Sequence, residues 1–364
     1  MKILLTSGIY PPDIGGPASY VPKLSKAFKS KGHETTLVSL KPSTTGVVNR
    51  DGQVILVNRG FLPLRFIKTV SQLLFCAINV DRIFSNGLYL ESAIAARITG
   101  TPSVAKIVGD PLWERKRNNG KTGESIVDFQ NSHLTLLDRL FRYIHRLAFN
   151  SFSIITTPSE ELAGIIRRWS VKPEVIVIPN GVEIPDLKPV KKKYDLVYVG
   201  RLVKWKNVDI VIELTSKLGL RTAIIGNGPE SNSLKNLANR LNANCEFLGE
   251  RENSEINQIL SSSKLFILLS QYEGLSFALL ESMAAGITPI VSDAKGNLDV
   301  VTDGFNAVVA HLDNLRELPD QLQNLLDDEE KIRTLGNNAL ETVKQKYLSS
   351  SRISEMIELV LSAE

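Results

Sequence analysis

Residues 264–293 read KLFILLSQYEGLSFALLESMAAGITPIVSD, and the order of residue types along them decides the fold. KLFILLS (264–270) is apolar enough to be a buried strand, and TPIVSD (288–293) reads as a second one. QYEGLSFALLESMAAG (271–286) supplies the loop and helix between them, which makes a strand–helix–strand unit. Inside it Glu273 and Glu281 stand eight positions apart, with only small and apolar residues between them. An ordinary amphipathic helix scatters its charges over a solvated face. Buried charge is costly unless something binds it, so this pair of acids points to a ligand.

The same alternation extends in both directions. In the first half, short β-branched runs lie at 2–7, 35–40, 53–58, 81–86, 102–108, 153–159 and 174–180. A second series lies at 194–200, 221–226, 245–249, 264–270, 288–293 and 306–310. Between the two series, PDLKPVKKK (185–193) is rich in Pro and Lys and reads as a linker. Strands alternating with helices imply parallel sheets. The expected architecture is α/β, with doubly wound domains at 1–184 and 194–345 and a final helical segment at 346–364.

Composition is that of an ordinary globular chain: 364 residues, 43% hydrophobic and 23% charged. Cys76 and Cys245 sit in apolar contexts without metal-like spacing, which suits a reducing compartment. The opening MKILLTSGIYPPD has too short an apolar run for a signal peptide and reads as a first strand. No run is long enough to span a bilayer. Charge is uneven: residues 1–185 hold 23 Lys and Arg against 14 Asp and Glu, while residues 186–364 hold 20 against 25. The basic half suggests an anionic partner, against the alternative of mere drift in surface charge.

In doubly wound sheets ligands bind beyond the carboxyl ends of the strands, and the unusual residues fall there. After the first strand, GIYPPDIGGPASY (8–20) leads into a helix. Gly15 and Gly16 let backbone approach a ligand, and the helix N-terminus favours an anion. In YVGRLVKWKN (198–207) a strand end delivers Arg201 and Lys206, a fork and a point charge suited to phosphate oxygens; the rival reading is a solvated basic turn. IIGNGPE (224–230) lacks the third glycine of a dinucleotide fingerprint. A helix starting near Leu275 would put Glu273 just before it and Glu281 about two turns inside, roughly 12 Å away. The backbone of Gly274, Leu275 and Ser276 then forms an anion site between two carboxylates. Hydroxyls, then a diphosphate, then hydroxyls would match that order, and a nucleotide-sugar is such a molecule.

The chain resembles the retaining glycosyltransferases of family 4, on PPDIGGPASYVPKLSKAFKSKGHETTLVS (11–39), IPNGVE (178–183), VGRLVKWKN (199–207), IIGNGPE (224–230) and SQYEGLSFALLESMAAGITPIVS (270–292), the family's Glu-x7-Glu signature. The resemblance covers nearly the whole chain. It implies a GT-B fold, two Rossmann-like domains facing a cleft, with the last helix returning to the first domain. It also implies that Arg201, Lys206, Glu273 and Glu281 bind the donor, with Gly16 approaching its phosphates. The implied reaction moves a hexosyl unit from a nucleoside-diphosphate sugar to an acceptor hydroxyl with retention, in the cytoplasm and without a cofactor. No Asp-x-Asp triplet occurs, so Arg201, Lys206 and a helix dipole are expected in place of a metal.

Two departures bear on this expectation. Asn207 stands where the family usually has Gly. The His that many members carry is absent from KIVGDPLWERKR (106–117), where Asp110 is the substitute facing the cleft, or else a helix N-cap. His33, His133, His145 and His311 read as structural. Three alternatives stay open: a glycosidase using the paired carboxylates, a sugar-nucleotide epimerase of the same fold, and a non-catalytic partner subunit.

Two segments of the basic half combine cations with apolar residues, FLPLRFIKTVSQLLF (61–75) and LLDRLFRYIHRLAF (136–149). They suggest peripheral contact with anionic membrane at its inner face and a glycan or lipid-linked acceptor. The competing reading is two ordinary helices packed on the sheet.

Overall fold

The computed structural model describes residues 1–13, 15–42, 53–124, 126–187 and 190–364. The chain divides into two compact units: unit 1 is Met1–Pro179 with Ser351–Glu364, and unit 2 is Asn180–Ser350. Residues 188 and 189 of the expected linker lie outside the described residues, and the rest of it carries neither helix nor strand.

Unit 1 holds β1 (Lys2–Ser7), β2 (Glu34–Leu40), β3 (Gln53–Val57), β4 (Arg82–Asn86), β5 (Ser103–Lys106), β6 (Ile154–Thr157) and β7 (Glu174–Val177). They form one sheet in the order β3-β2-β1-β4-β5-β6-β7, and every pairing is parallel. Its helices are α1 (Gly16–Ser30), α2 (Leu62–Ala77), α3 (Tyr89–Thr99), α4 (Pro111–Asn118), α5 (Ile126–Asn131), α6 (Leu136–Phe149) and α7 (Glu160–Arg168). A parallel sheet needs cover on both faces, which is why its strands read as near-continuous apolar runs. On one face Ile3, Leu5, Phe84 and Val104 meet Leu24 and Phe28 of α1. On the other, Leu4, Val38 and Ile83 meet Leu73, Ala77 and Ala95 of α2 and α3.

Unit 2 holds β8 (Tyr194–Val199), β9 (Thr222–Ile225), β10 (Cys245–Gly249), β11 (Ser263–Leu268), β12 (Thr288–Ser292) and β13 (Val308–Ala310). The sheet order is β10-β9-β8-β11-β12-β13, again all parallel. Its helices are α8 (Val208–Leu218), α9 (Ser231–Arg240), α10 (Asn253–Ser261), α11 (Phe277–Ala284), α12 (Lys295–Leu298), α13 (Leu318–Leu326) and α14 (Glu329–Lys346). The last helix, α15 (Ser349–Ser362), places Met356, Ile357 and Val360 in the core of unit 1 beside α1. Each apolar run singled out in the sequence coincides with a strand among the described residues, β2 and β11 each beginning one residue before its run. Both cysteines are free thiols, and no helix among the described residues is long and apolar enough to cross a membrane.

Candidate functional site

In unit 2 the strand order reverses between β8 and β11, which are adjacent in the sheet but far apart in sequence. The loops leaving the carboxyl ends of these two strands therefore diverge to opposite faces and open a crevice, the usual ligand position in such sheets. One loop carries Arg201 and Lys206. The other carries Glu273, Gly274, Leu275 and Ser276.

The two loops are tied together side chain by side chain. Lys206 ends a 3-10 turn, Lys204–Lys206, and its ammonium pairs with the Glu273 carboxylate. Both groups are nearly buried, 15% and 9% exposed. Asn207 follows with φ 50° and ψ 42°, the left-handed region in which Gly and Asn are the favoured residues. That explains the departure from the family's glycine. Asn207 also does what glycine cannot: its Nδ2 donates to the Leu269 carbonyl at 2.8 Å. The Gln271 amide donates to the Trp205 carbonyl at 2.8 Å, and buried Asn180 donates to the Leu275 carbonyl at 3.1 Å.

Helix α11 begins at Phe277, two residues later than the spacing predicted. Ser276 is its N-cap and accepts from the Leu279 amide at 3.3 Å. Glu281 is thus the fifth helical residue, and it is half-buried. Arg201 is exposed, with no side-chain partner among the described residues. Its carbonyl accepts from the Tyr198 hydroxyl at 3.1 Å. Burial, and then the Glu273 charge, push the Tyr198 hydroxyl well above its ordinary pKa.

Glycines set how closely these loops approach. A Cβ on Gly226, at φ +130°, would lie 1.9 Å from the Gly200 carbonyl oxygen, and one on Gly228 would lie 2.2 Å from that of Leu202. The Gly-x-Gly of IIGNGPE therefore lets the β9 loop pack backbone to backbone on the β8 loop. Gly296, after β12, does the same for the third loop: a Cβ there would meet the Glu273 carbonyl oxygen at 1.8 Å. Asn180 and Gly296 escaped the sequence reading, although IPNGVE was an available signal for the first, and Asn207 was singled out only as a departure from glycine.

Gly16 and Asp110 belong to unit 1. Gly16 opens α1 behind Gly15, and no side chain caps that helix. The expectation that Asp110 faces a cleft is corrected: it is fully buried and is the N-cap of α4. One carboxylate oxygen accepts from the Leu112 and Trp113 amides at 2.9 and 3.1 Å, and the other accepts from the Gln130 amide at 2.9 Å. An acidic residue before proline at a helix start satisfies free N–H groups; here one oxygen does so, and the Gln130 side chain occupies the other. His145 is buried between Phe141 and Phe149, and burial lowers its pKa. Potential metal ligands come together once among the described residues, in Asp293, His311 and Asp313 beyond β12 and β13, where the two latter face solvent.

Comparison with known proteins bears on the whole chain. Residues 182–342 match the model of "Glycosyl transferases group 1" and residues 15–181 that of "Glycosyl transferase 4-like domain". The chain is 28% identical over 391 residues to the N-acetyl-alpha-D-glucosaminyl L-malate synthase of Bacillus anthracis, covering 98% of this chain and 96% of that one. It is 25% identical over 293 residues to an Escherichia coli UDP-Gal:alpha-D-GlcNAc-diphosphoundecaprenol alpha-1,3-galactosyltransferase, with 74% and 71% covered. Among solved structures, Anabaena HepE in complex with UDP-glucose superposes with a TM-score of 0.79 at 19% identity, over 100% of both chains. Two all-parallel α/β units, a switch-point crevice holding Arg201, Lys206 and the Glu-x7-Glu pair, and these matches lead to one conclusion: the chain belongs to the family 4-type glycosyltransferases of GT-B fold and catalyses glycosyl transfer.

Proposed function

We propose that the protein is a retaining, metal-independent hexosyltransferase whose nucleoside-diphosphate sugar is held at the unit 2 switch point. The observation that carries this reading is the convergence of Lys206, Arg201, the Glu273–Ser276 backbone and Glu281 on adjacent strand ends. Arg201 and Lys206 meet the diphosphate. Glu273 meets the sugar hydroxyls, and Glu281 the ribose hydroxyls. The unused amides of the α11 first turn and the backbone of Gly274, Leu275 and Ser276 add an anion cradle. As the glycosidic bond breaks, the departing diphosphate gains negative charge, and preorganised cations stabilise it most at that moment. The donor phosphate takes the acceptor's proton on the same face. The acceptor is a glycan or a lipid-linked sugar received by unit 1, with peripheral contact to anionic membrane at its cytoplasmic face. The Escherichia coli relative, named for a diphosphoundecaprenol acceptor, supports that class.

The test is thermal stabilisation by UDP, GDP and ADP in the presence of EDTA, followed by donor hydrolysis. Arg201→Ala should weaken binding of the stabilising nucleotide about ten- to a hundredfold, the value of one charge-assisted contact of roughly 1.5–3 kcal/mol. Glu281→Gln should chiefly raise the donor KM, because ribose contacts are equal in ground and transition states. Glu273→Gln should chiefly lower kcat. Wild-type turnover in Arg201→Ala, or loss of turnover on chelation, would refute the assignment.

A further inference from the structure

The outward faces of three unit 1 helices are apolar where a solvated helix is polar. On α6, Leu136, Leu137, Leu140, Tyr143, Ile144 and Leu147 are exposed, Leu136 to 83%. Their spacing puts them on one stripe, while His145, Ala148 and Phe149 on the opposite side face the core. Helix α2 shows Leu64, Ile67 and Phe75, the last 72% exposed, with Phe61 and Ile78 at its ends. Ile98 on α3 adds to the same character. Between these elements runs a groove of about 440 Å³. Leu90, Ala93 and Ile94 of α3, Phe66 of α2, and Ile144 and Leu147 of α6 line it, and Arg97 brings a positive charge. Contiguous apolar surface of this kind marks an interaction site.

Charge narrows the occupant. Lys68, Arg97, Arg139 and Arg146 are exposed on these helices. The three helices carry no solvent-facing carboxylate: Glu91 is buried, and Asp138 pairs with Lys116 at 2.8 Å. Arg142 turns inward, its guanidinium over the Phe129 and Trp169 rings at 5.9 and 5.3 Å. A second copy docked two-fold on this face would set the same cations against one another. An anionic bilayer meets all of them.

We propose that unit 1 docks on an anionic lipid bilayer through the outward faces of α2, α3 and α6, and that the groove takes one apolar chain of a membrane-borne amphiphile whose anionic head meets Arg97. Identifying that amphiphile with the sugar acceptor rests on the transferase reading; the docking does not. The helices stay intact, so the amphiphile would present its head beside the sheet while the bilayer keeps its remaining chains.

Flotation of the full chain with phosphatidylcholine vesicles, with and without phosphatidylglycerol, tests the docking. Binding should need phosphatidylglycerol and fade as salt shortens the reach of the field. Lys68→Gln and Arg139→Gln should each weaken it about fivefold. Leu140→Glu with Leu147→Glu should abolish it, with circular dichroism and melting unchanged. Geranylgeranyl phosphate below its micelle concentration, followed by calorimetry, tests the groove: Ile94→Lys should remove its binding and Leu140→Glu should not. Recovery in the supernatant with both vesicle types, or a dimer in light scattering that Leu140→Glu splits, overturns docking on lipid. Failure of geranylgeranyl phosphate to bind overturns the groove. Nucleotide binding in the same samples separates the two readings: flotation without it leaves docking standing and refutes the donor site.

Discussion

Lys106 shows how much one residue can cost a fold. It ends β5 on the face covered by α1 and α15, 1% exposed, with its Nζ over the Tyr20 ring at 4.0 Å and no hydrogen-bond partner among the described residues. Across the sheet it pairs in register with Thr156, whose buried hydroxyl oxygen also has no partner among the described residues. Burial lowers its pKa from 10.5 to about 7, and the Glu355 charge opposes that only in part. The unfolded chain therefore holds a proton that the folded chain releases between these values. Stability should carry the full cost below pH 7 and rise with pH up to about pH 10. Lys106→Met should raise the melting temperature at neutral pH and flatten that rise, read by thermal denaturation across the window. Lys206 is the opposite case, because its charge is paired. Lys206→Met strands a nearly buried Glu273 and should cost roughly 3–5 kcal/mol. Adding Glu273→Gln should restore most of the stability and none of the donor binding, measured by urea denaturation and nucleotide titration.

At the scale of elements, four strand-end loops in unit 2 are in backbone contact, so side-chain identity matters less than the absence of a Cβ. Gly296→Ala should push the α12 loop from the Glu273 carbonyl and weaken nucleotide binding, while the sheet, far from the collision, keeps its melting transition within about 1 kcal/mol. Asn207 is held left-handed by the turn into α8. Asn207→Gly should therefore be tolerated better than Asn207→Val, which adds a left-handed cost of about 1–2 kcal/mol to the lost bond with Leu269. Thermal denaturation of the pair checks the order. Elements also explain Asp110: a helix starting at Pro111 needs its first amides satisfied, and the nearest carboxylate is consumed in doing so.

At the scale of the molecule, the chain's end completes a core begun at its start. Met356, Ile357 and Val360 are buried among residues of β1, α1 and β4. Burying each such side chain contributes about 1.5–3 kcal/mol, and domains retain only about 5–15 kcal/mol in all. Truncation after Ser350 should therefore unfold unit 1 and leave unit 2, whose core uses none of these residues, with its own transition. Calorimetry of the truncated and full chains distinguishes them.

The sequence by itself determined the two-unit α/β plan, because strands buried on both faces are written as apolar runs and turns as Gly, Pro and Asn. It also singled out Arg201, Lys206, Glu273 and Glu281 as candidates, because in a doubly wound sheet ligands bind beyond the carboxyl ends of the strands, where these residues fall in the chain. Only the tertiary structure decided that α11 starts at Phe277, where Ser276 and not Leu275 satisfies an N–H. It alone showed that Lys206 and Glu273 neutralise each other, a pairing across 67 residues that no local pattern encodes. It also decided which arginines of α6 face outward: periodicity gives a stripe, but which side of a helix meets the core depends on what packs behind it.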